Sequence, residues 1–502
     1  MATLFPIGQA AASVSKPAPH VETPAEKTAL DAAAVDKGIK PLAWHQCNGV
    51  FRCAKLPVPI DYSKPQLGSL DIAVIELPAT SRHPEGDLVM NPGGPGGSGV
   101  DFLEQAWSSF PASIRAHFNL VSFDPRGVGL SDPVNCLTPS QLRQWIALNP
   151  DPETPSQIAT VVAATKAFVR SCEEHNSMLL LRNIATIDEA KDMERLRAAL
   201  GQPKLTYLGF SYGTYLGALY AEQFPTHVRA MVLDGAVDPA LSAAVSDAQQ
   251  AVGFEVDLHD FYNWCNTNTT CRRELPKGAK AAYATLLERL GKGAQIWARF
   301  TPPFGGSQRL TVGLAELGVI SALYDESDWP YLAQGLQQAL QGNGGDLALF
   351  AYEYAGLQPN GTYQNILSAN VAISCVDSPG PSTLGAIEAL ARKLAKIAPD
   401  FGASEAWGGL PCVYWPVPPV GKPAPIHADG TPPILVVGST NDPATPYSWA
   451  KALASQLQHG VLLTRNGPGH TGYLNSTCVQ IWADRYLENL TLPPKGLVCP
   501  SS

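Results

Sequence analysis

Charge is scarce in this chain: Asp, Glu, Lys and Arg make up 16% of 502 residues, and no Lys/Arg block occurs anywhere. The net charge is −9. A nucleic-acid binder would carry a basic stripe, so that class is excluded; the acidic balance otherwise speaks only to solubility. No apolar run is long enough to cross a membrane. There is no CxxC and no paired-ligand spacing, which argues against zinc and iron–sulfur sites. Internal repeats and low-complexity tracts are missing too, which sets aside coiled coils and helical arrays. The opening "MATLFPIGQAAASVSKPAPH" has neither a basic n-region nor a long apolar core. It does not read as a signal peptide, and a trimmed or replaced start is the expectation.

What is present begins with ten cysteines, an even number, several of them close together. Pairing neighbours gives Cys47–Cys53, Cys136–Cys172, Cys265–Cys271, Cys375–Cys412 and Cys478–Cys499; scattered buried thiols are the other reading. Sequons begin at Asn268, Asn360, Asn475 and Asn489. Together these features predict a secreted or otherwise extracytoplasmic glycoprotein.

Strands and helices alternate over much of the chain. "LGSLDIAVIEL", "GDLVMN", "HFNLVSFD", "LTYLGF", "VRAMVLDGAVDP", "PPILVVGSTND" and "GVLLTRNGPGH" read as strands with helical stretches between them. That rhythm predicts an α/β fold with a mostly parallel sheet. It breaks after Pro239, where "AAYATLLERLGKGAQIWARF", "AELGVISALYDE", "YLAQGLQQALQG" and "TLGAIEALARKLAKI" read as helical. The expected organisation is an N-terminal arm (1–40), a first core part (41–240), a large, mainly helical cap insertion (241–428) and a second core part (429–502). Such an insertion can cover the carboxyl ends of the strands, where open α/β sheets place their sites.

With 44 glycines in the chain, the "GFSYG" at 209–213 is weak by itself. Its context is stronger: Ser211 ends an apolar strand and starts a helix, the arrangement of a nucleophile elbow, although a structural turn serine remains the plainer reading. The acid and histidine should follow in that order. Asp442 stands after "ILVVGST" and His470 in "GPGHTGY" after the next strand. In that assignment His470 takes the Ser211 proton and Asp442 orients the imidazole. Asp234 is the main rival acid, followed by Asp124 and Asp132; a buried Asp234 holding loop amides is its expected role. Two N–H donors are needed for the oxyanion. Tyr212 offers one, and "NPGGPGGSG" the other, at Gly94 with Gly93 next. The glycine loop lacks the G-K-[ST] ending and the dinucleotide spacing, which excludes a phosphate cradle. Acyl transfer by these groups requires no metal and no organic cofactor.

The motifs "NPGGPGGSG", "FDPRGVGLSD", "GFSYGTYLGALYAEQFP", "VLDGAVDP", "STNDPATP" and "GPGHTGY" resemble the secreted tripeptidyl aminopeptidases of the proline-iminopeptidase group of serine α/β-hydrolases. The similarity spans about 67–240 and 428–499, plus the cap's opening "AVGFEVDLHDFYNWC". Ser211, Asp442 and His470 match the catalytic positions, and Gly94 and Tyr212 the oxyanion positions. Pro92 stands where the proline-iminopeptidase loop begins with histidine, which weakens a strict prolyl assignment. The resemblance implies a serine exopeptidase that releases tripeptides or short peptides from free N-termini. It further implies cap carboxylates that hold the substrate ammonium, with Glu255, Asp257, Glu353 and Asp377 as candidates, each equally readable as a solvated charge. Trp264, Trp329, Tyr414 and Trp415 would line a pocket or simply pack. The alternatives are hydrolysis of small esters or amides by the same triad, and a non-catalytic binding protein on this scaffold. The partner is a peptide or small amide or ester, with no nucleic acid and no membrane; the oligomeric state is left open.

Overall fold

The computed structural model describes residues 35–36, 38–300 and 306–501; nearly all of the expected N-terminal arm lies outside them. Ten strands form one sheet: β1 (His45–Cys47), β2 (Phe51–Pro59), β3 (Ser69–Leu77), β4 (Gly86–Asn91), β5 (Phe118–Phe123), β6 (Leu205–Phe210), β7 (Val228–Asp234), β10 (Ile434–Asn441), β11 (Gly460–Pro468) and β12 (Val498–Cys499). The remaining two, β8 (Trp297–Arg299) and β9 (Ser307–Arg309), make a separate small hairpin. Sheet order is β1-β2-β3-β5-β4-β6-β7-β10-β11-β12. The pairs from β1 to β5 are antiparallel, and all others are parallel.

Strand β6 shows why the sequence favours this arrangement. All six of its residues are buried, because helices cover both faces of a parallel sheet and leave no side for polar alternation. The chain runs from β4 outward to β5, then returns to β6 on the other side of β4. A crevice therefore opens at the carboxyl ends of β4 and β6, where the connections leave in opposite directions. The glycine loop and Ser211 are the segments that emerge there.

Between β7 and β10 the chain builds the cap, chiefly from helices Ala243–Thr267, Ala279–Gly291, Val312–Leu323, Trp329–Leu340, Gly345–Tyr354 and Ile366–Asp377. Its apolar interior also takes in Leu142 and Ile146, from a helix that precedes Ser211 in the chain. One stretch departs from the helical expectation. In "AAYATLLERLGKGAQIWARF" the helix stops at Gly291, and the last residues turn back as β8. Gly293, at φ 85°, supplies the left-handed step that ends it. The hairpin β1–β2, closed by Cys47–Cys53, was not anticipated either. The structure joins the other cysteines as Cys136–Cys172, Cys265–Cys271, Cys375–Cys412 and Cys478–Cys499. Among the described residues no helix is long and apolar enough to cross a membrane.

Candidate active site

Ser211 sits between β6 and the helix Tyr212–Gln223 with φ 54° and ψ −125°, a conformation that L-residues rarely adopt. The neighbouring glycines make the turn possible. A Cβ on Gly209 would lie 2.4 Å from the Gly213 carbonyl oxygen, and one on Gly213 would lie 2.7 Å from that of Asn91. The Ser211 N–H donates to the Asp234 carbonyl at 2.8 Å, tying the elbow to β7.

The loop after β4 lies directly against this elbow. A Cβ on Gly93 would fall 2.6 Å from the Phe210 carbonyl oxygen and 2.9 Å from the Ser211 Cβ. Gly93 donates its own N–H to the Asn91 side chain at 2.9 Å. The Gly94 N–H has no acceptor among the described residues, and Tyr212, first in its helix, has an N–H with no intrahelical partner. Of the two glycines, Gly94 therefore keeps a donor to offer. Asp124 braces the loop from beneath, accepting from the Ser98 hydroxyl at 2.6 Å and the Val100 N–H at 3.0 Å.

His470 and Asp442 meet at the ends of β10 and β11. The imidazole Nδ1 lies 2.8 Å and 3.1 Å from the two Asp442 oxygens. Asp442 is fixed in turn by the N–H groups of Ala444 (3.0 Å), Thr445 (2.8 Å) and Thr471 (3.3 Å). The Thr445 hydroxyl is a further neighbour of Nδ1, at 3.4 Å. Burial opposes charge on His470, but the adjacent Asp442 carboxylate, helped by Asp234, outweighs it and raises the imidazole above its ordinary value. The other ring nitrogen, Nε2, is buried without a partner. Asp234 links the two halves of the site: its carbonyl receives Ser211, and a Cβ on the next residue, Gly235, would lie 3.1 Å from the His470 ring.

The rival acids have other work. Both Asp234 oxygens accept from Gly472 (2.9 and 3.0 Å), and one also accepts from Tyr473 (2.7 Å). Burial raises Asp234 to about 6. Asp132 accepts from the Asp71 N–H at 3.2 Å.

The cap reaches into the site through Tyr324. Its carbonyl accepts the His470 N–H at 2.8 Å, and its ring stands edge-on to the imidazole with centroids 5.2 Å apart. The four cap carboxylates expected from the sequence have different surroundings. Glu353 is exposed and lines a cavity of about 620 Å³ together with Pro92, Gly97 and Asp101. Glu255 accepts from the Asp400 N–H at 3.0 Å. Asp377 is committed to Thr186, accepting from its N–H at 2.8 Å and from its hydroxyl. Asp257 is fully buried, and neither oxygen has a hydrogen-bond partner. Trp264 and Trp329 pack edge to face with centroids 5.9 Å apart, and Trp415 belongs to the main core, so these three act as packing. Tyr414 lies under the Lys166 ammonium, 4.8 Å from the ring centroid.

Two carboxylates that the sequence did not single out lie in cap helices, Asp247 in Ala243–Thr267 and Glu405 in Gly402–Gly408. Glu405 is raised to about 8 by burial and then by Asp247 and Glu316; Asp247 is raised to about 7 by burial. Among the described residues no cation acts on either. The charge of Glu405 also raises Tyr324, whose ring stands against His470, and Tyr354, which packs on Tyr324. Nothing in a lone helical Glu or Asp reveals this from the sequence. Among the described residues, one carboxylate–imidazole group has metal-ligand spacing: Asp36, Glu194 and His227. There Arg197 already pairs with both carboxylates, at 2.8 and 2.7 Å, so the negative charge is met.

Residues 88–288 match the model of the alpha/beta hydrolase fold family, and residues 398–499 that of the TAP-like protein family. The chain is 36% identical over 483 residues to "Serine protease Hip1" of Mycobacterium tuberculosis, covering 92% of this chain and 91% of that protein. It is 37% identical over 481 residues to "Carboxylesterase B" of the same species, covering 91% and 89%. It is 31% identical over 476 residues to the "Tripeptidyl aminopeptidase" of Streptomyces lividans, covering 91% and 86%.

Proposed function

Because the chain belongs to the α/β-hydrolase family of serine peptidases and esterases, we propose that it is a serine exopeptidase that releases tripeptides or other short peptides from free N-termini. In this reading Ser211 attacks the scissile carbonyl while His470 Nε2 takes its proton. Asp442 stabilises the imidazolium, and the N–H groups of Gly94 and Tyr212 receive the oxyanion. His470 then protonates the departing amine, and water activated by His470 releases the acyl group. The observation that carries this reading is the Asp442–His470 contact at 2.8 Å, with Nε2 left buried and unpartnered.

An exopeptidase needs a counter-charge for the substrate ammonium. Glu405 and Asp247, on which no cation acts among the described residues, suit that task better than Asp377, whose oxygens hold Thr186. Glu353 and Asp101, beside the glycine loop, would meet more distant parts of the peptide. The five disulfides, with no free cysteine among the described residues, support an oxidising, extracytoplasmic location. Similarity to a relative named as a carboxylesterase keeps a second reading in view: small-ester or small-amide hydrolysis by the same residues.

One matched panel separates the two: an Ala-Ala-Pro chromogenic amide, its N-acetylated form, single-residue amides and a short-chain ester, each with wild type and Ser211→Ala. Preference for the free tripeptidyl amide, lost on acetylation and in Ser211→Ala, supports the exopeptidase. Cleavage of the ester alone leaves the triad in place and removes the peptidase.

A further inference from the structure

The side chain of Tyr212 ends in a chain of polar groups that none of the acyl-transfer steps uses. Its hydroxyl lies 2.8 Å from Glu189 and also contacts the Thr186 hydroxyl. Thr186 in turn reaches Asp377, through its hydroxyl and through its N–H at 2.8 Å. Thr186 and Glu189 stand at the start of the helix Thr186–Ala199, whereas Asp377 ends the cap helix Ile366–Asp377. A path of hydrogen bonds therefore runs from the cap to the residue that follows Ser211.

Counting protons shows what this path requires. Three side-chain contacts link Tyr212 to Glu189, Tyr212 to Thr186 and Thr186 to Asp377. The two hydroxyls supply two protons. The third must sit on a carboxyl, so one of the two acids is neutral when the path is complete. The surroundings agree. Burial, with Asp192 and Asp377 adding to it, raises Glu189 to about 8, and burial raises Asp377 to about 7. The other charged or titratable neighbours are Asp188, Asp192 and Arg126, with Tyr207 and Tyr215. The single cation among these, Arg126, is held by Asp192 through two contacts of 2.7 Å. Glu189 also keeps one oxygen buried without a partner.

We propose that Glu189 and Asp377 are positioning residues of the acyl-transfer site, fixing Tyr212 through its hydroxyl and thereby coupling the oxyanion N–H to the docked cap. The inference rests on the reading of Tyr212 as an oxyanion donor. The neutral carboxyl is a working part of the device: once it loses its proton, one of the three contacts has no hydrogen and becomes repulsive.

The test uses the full chain with Tyr212→Phe, Glu189→Ala, Glu189→Gln and Asp377→Asn. Active sites are counted by covalent fluorophosphonate labelling of Ser211, and kcat per labelled site and KM are measured from pH 5.5 to 9. Tyr212→Phe and Glu189→Ala should lower kcat about tenfold with KM within about twofold, because oxyanion donors act through position. The rate of Ser211 labelling should fall in parallel. Glu189→Gln, neutral at every pH, should restore most of what alanine loses and flatten the alkaline fall in kcat. Asp377→Asn should alter kcat through the same pH range. Wild-type kcat and labelling rate in Tyr212→Phe would overturn the proposal, as would a change confined to thermal stability. If wild type itself fails to label at Ser211, the acyl-transfer reading falls and takes this one with it; normal wild-type labelling with a silent Tyr212→Phe sinks the positioning role alone.

Discussion

Replacing Gly93 with alanine isolates the contact between the glycine loop and the turn at Ser211. The backbone there has φ 100°, where an L-residue costs about 1–3 kcal/mol. The new methyl would also lie 2.6 Å from the Phe210 carbonyl oxygen, 2.9 Å from the Ser211 Cβ and 3.1 Å from the Tyr212 nitrogen. These neighbours are the turn itself, so none can rotate aside. Relief requires the loop to retreat by about half an ångström or more, carrying the Gly94 N–H with it. Misplacement of about 1 Å costs about a hundredfold in rate, so a ten- to hundredfold loss of kcat is expected, about 1.4–2.7 kcal/mol. Gly342 provides the control: it has the same φ of 100°, but an added Cβ meets nothing within 4 Å. Gly342→Ala should lose only the stability that the positive φ costs and keep its kcat. Steady-state kinetics alongside calorimetry separates the terms. If Gly93→Ala retains wild-type kcat while both variants lose similar stability, the loop does not position an oxyanion donor.

Three further outcomes follow from the same geometry. Asp442→Asn should lower kcat about 10³-fold or more, because the imidazolium loses its counter-charge; in wild type the acid limb of kcat/KM should lie above the ordinary histidine value, since His470 is raised and must be neutral to accept a proton. Glu405→Gln should raise KM for a free tripeptidyl amide about tenfold and leave N-acetylated or ester substrates unchanged; equal effects on both would remove the ammonium role. Glu189, Glu316 and Glu405 are each raised by burial to about 8, and Asp247 and Asp377 to about 7. Their unfolded forms release protons near 4, so the native state binds more protons between these limits, and this stabilisation fades as pH rises towards 8. The melting temperature at pH 6 should exceed that at pH 8.5, and the reverse order in calorimetry would contradict these assignments.

The parts of the site legible in the sequence are those made by one short segment each. A strand, a serine and flanking glycines define the turn at 209–213, and strand ends followed by "NDP" and "GPGH" locate Asp442 and His470. These signals are local, because a parallel sheet forces its loops to one end. The cap resisted the same treatment. Asp377 and Glu405 both sit in ordinary helical sequence, and only tertiary packing brings Asp377 to Thr186 and buries Glu405 among other acids. Likewise nothing in the sequence marks Leu142 and Ile146 as completing the cap's interior. The short helix ending at Gly291 shows a related failure: apolar spacing persisted past the residue that broke the helix.

The strand order has a consequence for when the protein could act. Ser211 and its strained turn belong to β6, but Asp442 and His470 come with β10 and β11, after the whole cap has been made. A nascent chain thus carries an unarmed serine for most of its synthesis. Prematurely terminated products lacking β11 would lack His470 as well. Asp442 and His470 join Ser211 only when the chain is nearly finished.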